Sequence, residues 1–205
     1  MADFPLTSKP VRPDAVWLKA LLAACAFAFL VFGGQTIAAE PYQDFDCLTR
    51  LADVRNPPAF HDYPAVPARM RPAKVQLTSP DARRMRTVLR EGAAKGPNFA
   101  GHFSVVVWGC GSSCSDLAIV DARSGRVFFD ESVDDISGVH VGDEPGASDW
   151  AARFRLDSRL LAIVGAPNEN DARDGVTFYE WTGARLKLLR FVPRKEACTP
   201  VSRDR

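Results

Sequence analysis

Downstream of Gly96 the chain is a succession of short runs of Val, Ile, Leu, Phe, Tyr and Trp, each closed by Gly, Ser, Asp or Asn, and this rhythm constrains the fold most. Residues 103–108 and 117–121 flank the turn Gly109-Cys110-Gly111-Ser112-Ser113-Cys114, and Ala122-Arg123-Ser124-Gly125 leads into residues 127–129. After a polar loop, residues 153–156 and 160–164 bracket Asp157-Ser158, and 176–181 turns through Thr182-Gly183 into 186–192. About seven strands in hairpin order predict an α+β fold, predominantly an antiparallel meander closed as a barrel or folded as a sandwich. The last two hairpins resemble a propeller blade, but the strands suffice for fewer than two blades.

One amphipathic helix precedes the strands and is expected to pack on them. Ser79 can cap it, Pro80 suits the first helical position and Asp81 the positive end. Ala82, Met85, Leu89 and Ala93 form an apolar stripe with Val88 alongside, Gly92 or Gly96 stops the helix, and Arg83, Arg84, Arg86 and Arg90 make a solvated face. Residues 40–77 are punctuated by Pro41, Pro57, Pro58, Pro64, Pro67 and Pro72 and read as an irregular wrapping arm. With 46% hydrophobic and 10% aromatic residues in 205, the chain is globular and long enough for one real core. The expected organisation is a signal segment at 1–39, the arm at 40–77, a single β-rich domain with its leading helix at 78–198 and a tail at 199–205.

The compartment is read from the start of the chain. Lys9, Arg12 and Lys19 precede an uncharged run over residues 20–39, and Thr36, Ala38 and Ala39 supply small residues for cleavage close to Glu40. Two alternatives stay open: a lipoprotein box at Leu22-Ala23-Ala24-Cys25, and an uncleaved anchor, the only membrane contact expected. In each case the body lies outside the cytoplasm, periplasmic or secreted.

Three of the 26 bases and two of the 25 acids fall in residues 1–39, which leaves 23 of each. A neutral body argues against nucleic acid, whose phosphates need a surplus of Lys and Arg. The charges are segregated, however. Arg69, Arg71, Lys74, Arg83, Arg84, Arg86 and Arg90 crowd one stretch, whereas residues 127–149 carry Asp130, Glu131, Asp134, Asp135, Asp143, Glu144 and Asp149 with no Lys or Arg. Two solvated faces, or a docking surface, follow from that.

Export also sets the reading of cysteine. Without Cys25 four remain, and an even count in an oxidising compartment points to two disulfides with three possible connectivities. The expected pairs are Cys110 with Cys114, across small residues that let the chain fold back, and Cys47 with Cys198, tying the two ends of the body together. Closing the longer loop is worth on the order of 4 kcal/mol on chain-entropy grounds.

The densest chemistry lies in Gly96-Pro97-Asn98-Phe99-Ala100-Gly101-His102 and Trp108-Gly109-Cys110-Gly111-Ser112-Ser113-Cys114. His102 and two thiols could ligate a metal, completed by Asp116 or His140, although the spacing matches no common zinc pattern. His102 could instead activate Cys110, Ser112 or Ser113, but the turn is no nucleophile elbow. A redox pair would need a thiol at a helix start rather than in a hairpin turn. The plainest account is a stapled hairpin with Gly where the turn needs positive φ, Trp108 in the core and His102 hydrogen-bonded at a strand start. Asn98, His102, Trp108, Ser112, Ser113 and Asp116 together form the candidate surface site.

These motifs, with Ile119-Val120-Asp121-Ala122, Gly125, Val127, Asp157-Ser158-Arg159-Leu160-Leu161 and Tyr179-Glu180-Trp181, resemble a family of small exported proteins of Gram-negative bacteria. The likeness runs from the helix to the last strand and implies export and a shared fold. That family has no assigned activity, so no catalytic role comes with it. Phe103 stands where its pattern has Tyr after Gly-His, so no role of that hydroxyl carries over.

Two loops could hold calcium. Asp130, Glu131, Asp134 and Asp135 supply carboxylates, and residues 168–175 partly resemble a cation loop, with Ala172 where an EF-hand needs Asp or Asn. The expectation is a non-enzymatic, disulfide-stapled interaction module without cofactor, presenting its loops to a protein or cell-envelope partner. The alternative is a small hydrolase or metal-dependent enzyme centred on His102 and the Cys110/Cys114 turn.

Overall fold

The computed structural model describes residues 47–142 and 151–200, the side chains of 199 and 200 excepted. They belong to the larger of two units, Asp44–Arg205. The predicted signal segment with Cys25, the acids Asp143, Glu144 and Asp149, and residues 201–205 lie outside the described residues.

The runs of β-forming residues become two four-stranded antiparallel sheets. In the first, β2 (Phe103–Gly111) pairs with β3 (Cys114–Asp121), and β3 pairs in turn with β4 (Val127–Phe128) and β5 (Ile136–Ser137). The second follows chain order: β6 (Ala152–Phe154), β7 (Leu160–Gly165), β8 (Gly175–Trp181) and β9 (Leu186–Pro193). The sheets stack as a sandwich, and among the described residues no barrel closes. The seven expected strands are present. Three more, β1 (Cys47–Thr49), β5 and β10 (Cys198–Pro200), are two or three residues long and exist only through distant pairing.

Strand alternation assigns the faces. Phe103, Val105, Leu117 and Ile119 point between the sheets and meet Leu161, Ile163, Tyr179 and Trp181. The opposite face of the first sheet, Val106, Ala118 and Val120, is covered by Ala82, Leu89 and Ala93 of the helical segment and by Val75. The opposite face of the second, Leu160, Ala162, Val164, Val176 and Phe178, is covered by Leu51, Val54, Phe60 and Tyr63 of the arm. Burial on both faces is why runs such as Leu160 to Val164 are continuously apolar.

The helix predicted as one piece is interrupted. Segments α1 (Pro80–Arg84) and α2 (Arg86–Ala94) meet at Met85, whose ψ of 19° leaves the helical well. The backbone bond from Leu89 N–H to Met85 O resumes the ladder, so the stripe stays on the sheet. Ser79 caps as expected, its hydroxyl accepting from Ala82 N–H at 3.0 Å. The arm is less irregular than its prolines imply, because it opens as β1 and pairs with β10. For the same reason the tail predicted from 199 begins as strand: its first two residues complete β10.

Both expected disulfides are formed, Cys47–Cys198 with Cα atoms 5.5 Å apart and Cys110–Cys114 at 5.2 Å. Two such crosslinks fit an oxidising, exported environment. Among the described residues no helix is long and apolar enough to cross a membrane.

Gly92 gives this packing a sharp test. Ala normally stabilises a helix interior by about 1 kcal/mol over Gly, but a Cβ here would sit 2.5 Å from Val106 Cγ1, a stiff side chain only 4% exposed. Gly92→Ala is therefore expected to lower the urea midpoint, with a loss of unfolding free energy of about 1–3 kcal/mol. A midpoint at or above that of the unsubstituted protein contradicts the helix-on-sheet contact.

Candidate functional site

The nine residues of β2 separate what the sequence places side by side. His102 precedes the strand and the disulfide closes its far end, about 26 Å away at ~3.3 Å per residue. The candidate site thus divides in two, and the pairing of His102 with Cys110, Ser112 or Ser113 is not made.

At the first end, His102 is absorbed into packing. Its ring lies on Phe103 with centroids 4.2 Å apart, and its Nε2 is 3.7 Å from Asp121 Oδ1. That carboxylate already accepts from Arg123 N–H and Ser124 O–H, both at short range, and so holds the turn into β4. Burial, then the nearby Arg123 guanidinium, lowers the His102 imidazole below its ordinary value, with Asp121 pulling the other way. Asn98 is also structural. Its Nδ2 donates to Val105 O at 3.0 Å and its Oδ1 accepts from Val105 N–H at 2.8 Å, so one amide side chain imitates a neighbouring strand.

The second end is the stapled hairpin. The expected glycine at positive φ is instead Ser113, at 52°, and neither Gly109 nor Gly111 has a positive φ. A bulge lies between Gly109 and Gly111, where the ladder shifts register. The tip is exposed yet tied down three ways: by Cys110–Cys114, by Gly138 N–H donating to Ser113 O at 2.6 Å, and by β5 pairing with Cys114 and Ser115.

Beside it, Trp108 is half-buried rather than core. Together with Phe129, in edge contact at 6.4 Å, it walls a small pocket of about 190 Å³ lined also by Asp81, Arg84, Met85, Asp116, Asp134 and Asp135. Among the described residues the Trp108 indole N–H finds no acceptor. Asp116 reaches the pocket because it is the cross-strand partner of Trp108, and Asp134 and Asp135 arrive on the loop before β5. Burial first, then the charges of Asp116, Asp135, Glu131 and Asp130, raises the Asp134 carboxyl above its ordinary range. Asp116 is raised as well, chiefly by burial, against its bond from Leu117 N–H. Arg84 pairs with Asp81 at 3.0 Å.

The metal and calcium readings come apart here. Sγ of Cys110, Sγ of Cys114 and an Asp135 oxygen lie within 4.8 Å of one another, but the two sulfurs are bonded to each other, which leaves one carboxylate as donor. Asp130 is occupied, accepting from Ser132 N–H and O–H on one oxygen and from Leu186 N–H on the other. In the second loop Asn170 caps Ala172 N–H, while Asp174 turns inward to His140 Nδ1 at 2.7 Å and Arg194 Nε at 3.2 Å. That half-buried trio was invisible to sequence reading, since 34 residues separate His140 from Asp174.

A larger cavity of about 350 Å³ lies between the arm and the second sheet, over Leu160, Ala162 and Phe178. Its charged mouth neutralises itself: Arg155 donates twice to Asp157, both at 2.9 Å. The hairpin is where exposed, ordered and electrostatically strained groups coincide. No protein-family profile, curated protein or solved structure matches the chain.

The raised carboxyls have a signed consequence. A carboxyl held above its unfolded value contributes stability below that unfolded value and loses it as pH rises through the folded one. Asp134→Asn is expected to raise the urea midpoint at pH 7, by less than about 1 kcal/mol after solvent screening, with the gain shrinking toward pH 4. A loss at pH 7 contradicts the crowding of charge described here.

Proposed function

We propose that the chain is an exported interaction module, periplasmic or secreted, that binds a protein partner of the cell envelope through the stapled β2–β3 hairpin. The carrying observation is the combination of exposure and rigidity at residues 109–114: a solvent-facing tip held by a disulfide, a backbone bond and a neighbouring strand. A loop fixed this firmly loses little entropy on binding, which is what a recognition element requires. The carboxylates of the adjoining pocket repel one another and gain from a cationic group placed among them. The enzymatic reading draws less support, because His102 sits at the other end of β2 with its partner Asp121 engaged in a turn.

A photo-crosslinking residue at Ser112, in cells that export the protein, tests this proposal against the same residue at Lys187 on β9. Discrete adducts are expected from position 112, absent from 187, lost on Cys110→Ser/Cys114→Ser and retained on His102→Ala. Identical patterns from the two positions overturn the assignment.

A further inference from the structure

Gly109 and Gly111 flank the β-bulge of β2. Neither has the positive φ that favours glycine, a Cβ at Gly109 would come no closer than 3.9 Å to Cys114 O, and a Cβ at Gly111 would meet open space. No side chain of either residue screens the backbone here, and both are exposed, so this stretch stays accessible to another chain.

The edge beside them is open. Val105 faces outward along β2, since both its N–H and C=O are taken by Asn98. Strand parity places the N–H and C=O of Val107 and Gly109 on the same outer edge, and among the described residues no partner meets them. Asn98 therefore closes the first half of the edge and leaves the second bare. No charge protects this edge, although the bulge beyond Gly109 bends its far end. The outermost strand of the second sheet, β9, carries Lys187 and Arg190, whereas β2 contains no charged residue.

From these observations we infer that the outer edge of β2 from Val107 toward Gly111 takes up an extended, basic segment of the partner protein as an added strand. This deepens the reading of the hairpin as the recognition element and rests on it. Main-chain bonds to Val107 and Gly109 supply the register. An Arg or Lys on the face of the added strand that adjoins Trp108 lies across the indole and approaches Asp116, its cross-strand partner, with Asp134 and Asp135 behind. Charge also argues against a second copy of this chain. Pairing two such edges about a two-fold axis would bring the two acidic pockets together, at a repulsive cost.

The test uses the disulfide-intact protein and a short blocked peptide alternating Thr and Val with a central Arg, followed by amide hydrogen exchange. The Arg peptide is expected to slow exchange at Val107 and Gly109 roughly tenfold or more. A Glu-for-Arg peptide, or one N-methylated along its pairing edge, is expected to leave exchange unchanged. Gly109→Pro removes an N–H that bonds nothing in the free protein and is expected to abolish the effect, while Gly109→Ala retains it. Unchanged exchange at both amides of the unsubstituted protein overturns strand addition, and so does equal protection by the Glu peptide. Protection that grows with protein concentration alone, together with a dimer lost in Gly109→Pro, overturns it in favour of self-pairing. If the Ser112 adducts persist while these amides stay unprotected, the module stands and only its mode of binding is wrong.

Discussion

Everything in this structure follows from the two sheets being apolar on both faces. Stacking hides one face of each, and the other two need separate covers, supplied by α1 and α2 on the first sheet and by the arm on the second. The arm has few internal hydrogen bonds and is held by bonds to the body along its length, such as Ala65 N–H to Asp157 O and Arg159 N–H to Tyr63 O, and by anchorage at its start. The Cys47–Cys198 disulfide and the β1–β10 ribbon provide that anchorage, with Ser158 Oγ donating to Phe60 O at 2.7 Å midway. A bond spanning 151 residues constrains the unfolded chain strongly, and here it also secures a layer of the core.

With both faces of both sheets covered, the described residues leave mainly edges and turns open to solvent. The arrangement distributes the polar residues accordingly. Asn98, Asp121, Asp130 and Ser158 use their side chains to close backbone groups, and Asp174 is engaged by His140 and Arg194. What remains at the surface with both order and unmet demand is the hairpin, where carboxylates crowd beside Trp108 and half a strand edge has no neighbour among the described residues.

Local rules made much of this legible. The Ser79-Pro80 cap, the hairpin order of the long strands and the two disulfide pairs could be read because each depends on nearby residues or on compartment. The short strands β1, β5 and β10 could not, since pairing with distant partners creates them. Grouping His102 with the cysteine turn failed for a geometric reason: an extended strand carries residues that are close in sequence to opposite ends of a sheet. Trp108 and Asp116 were visible as candidates, but Asp81 and Phe129 join them only through the packing of α1 and the turn after β4. The glycines of the turn misled differently, because Ser113 takes the left-handed conformation they were expected to supply.

The hairpin tip is tied down while the β2 edge beside it lacks a partner among the described residues. Backbone ¹⁵N relaxation measured alongside amide exchange on the unliganded, disulfide-intact protein tests both halves together. The account predicts order parameters near 0.85 through residues 109–114, equal to those of β3 and β7, with fast exchange at the Val107 and Gly109 amides. Order parameters below about 0.6 at the tip, or strong protection at those two amides, would contradict it.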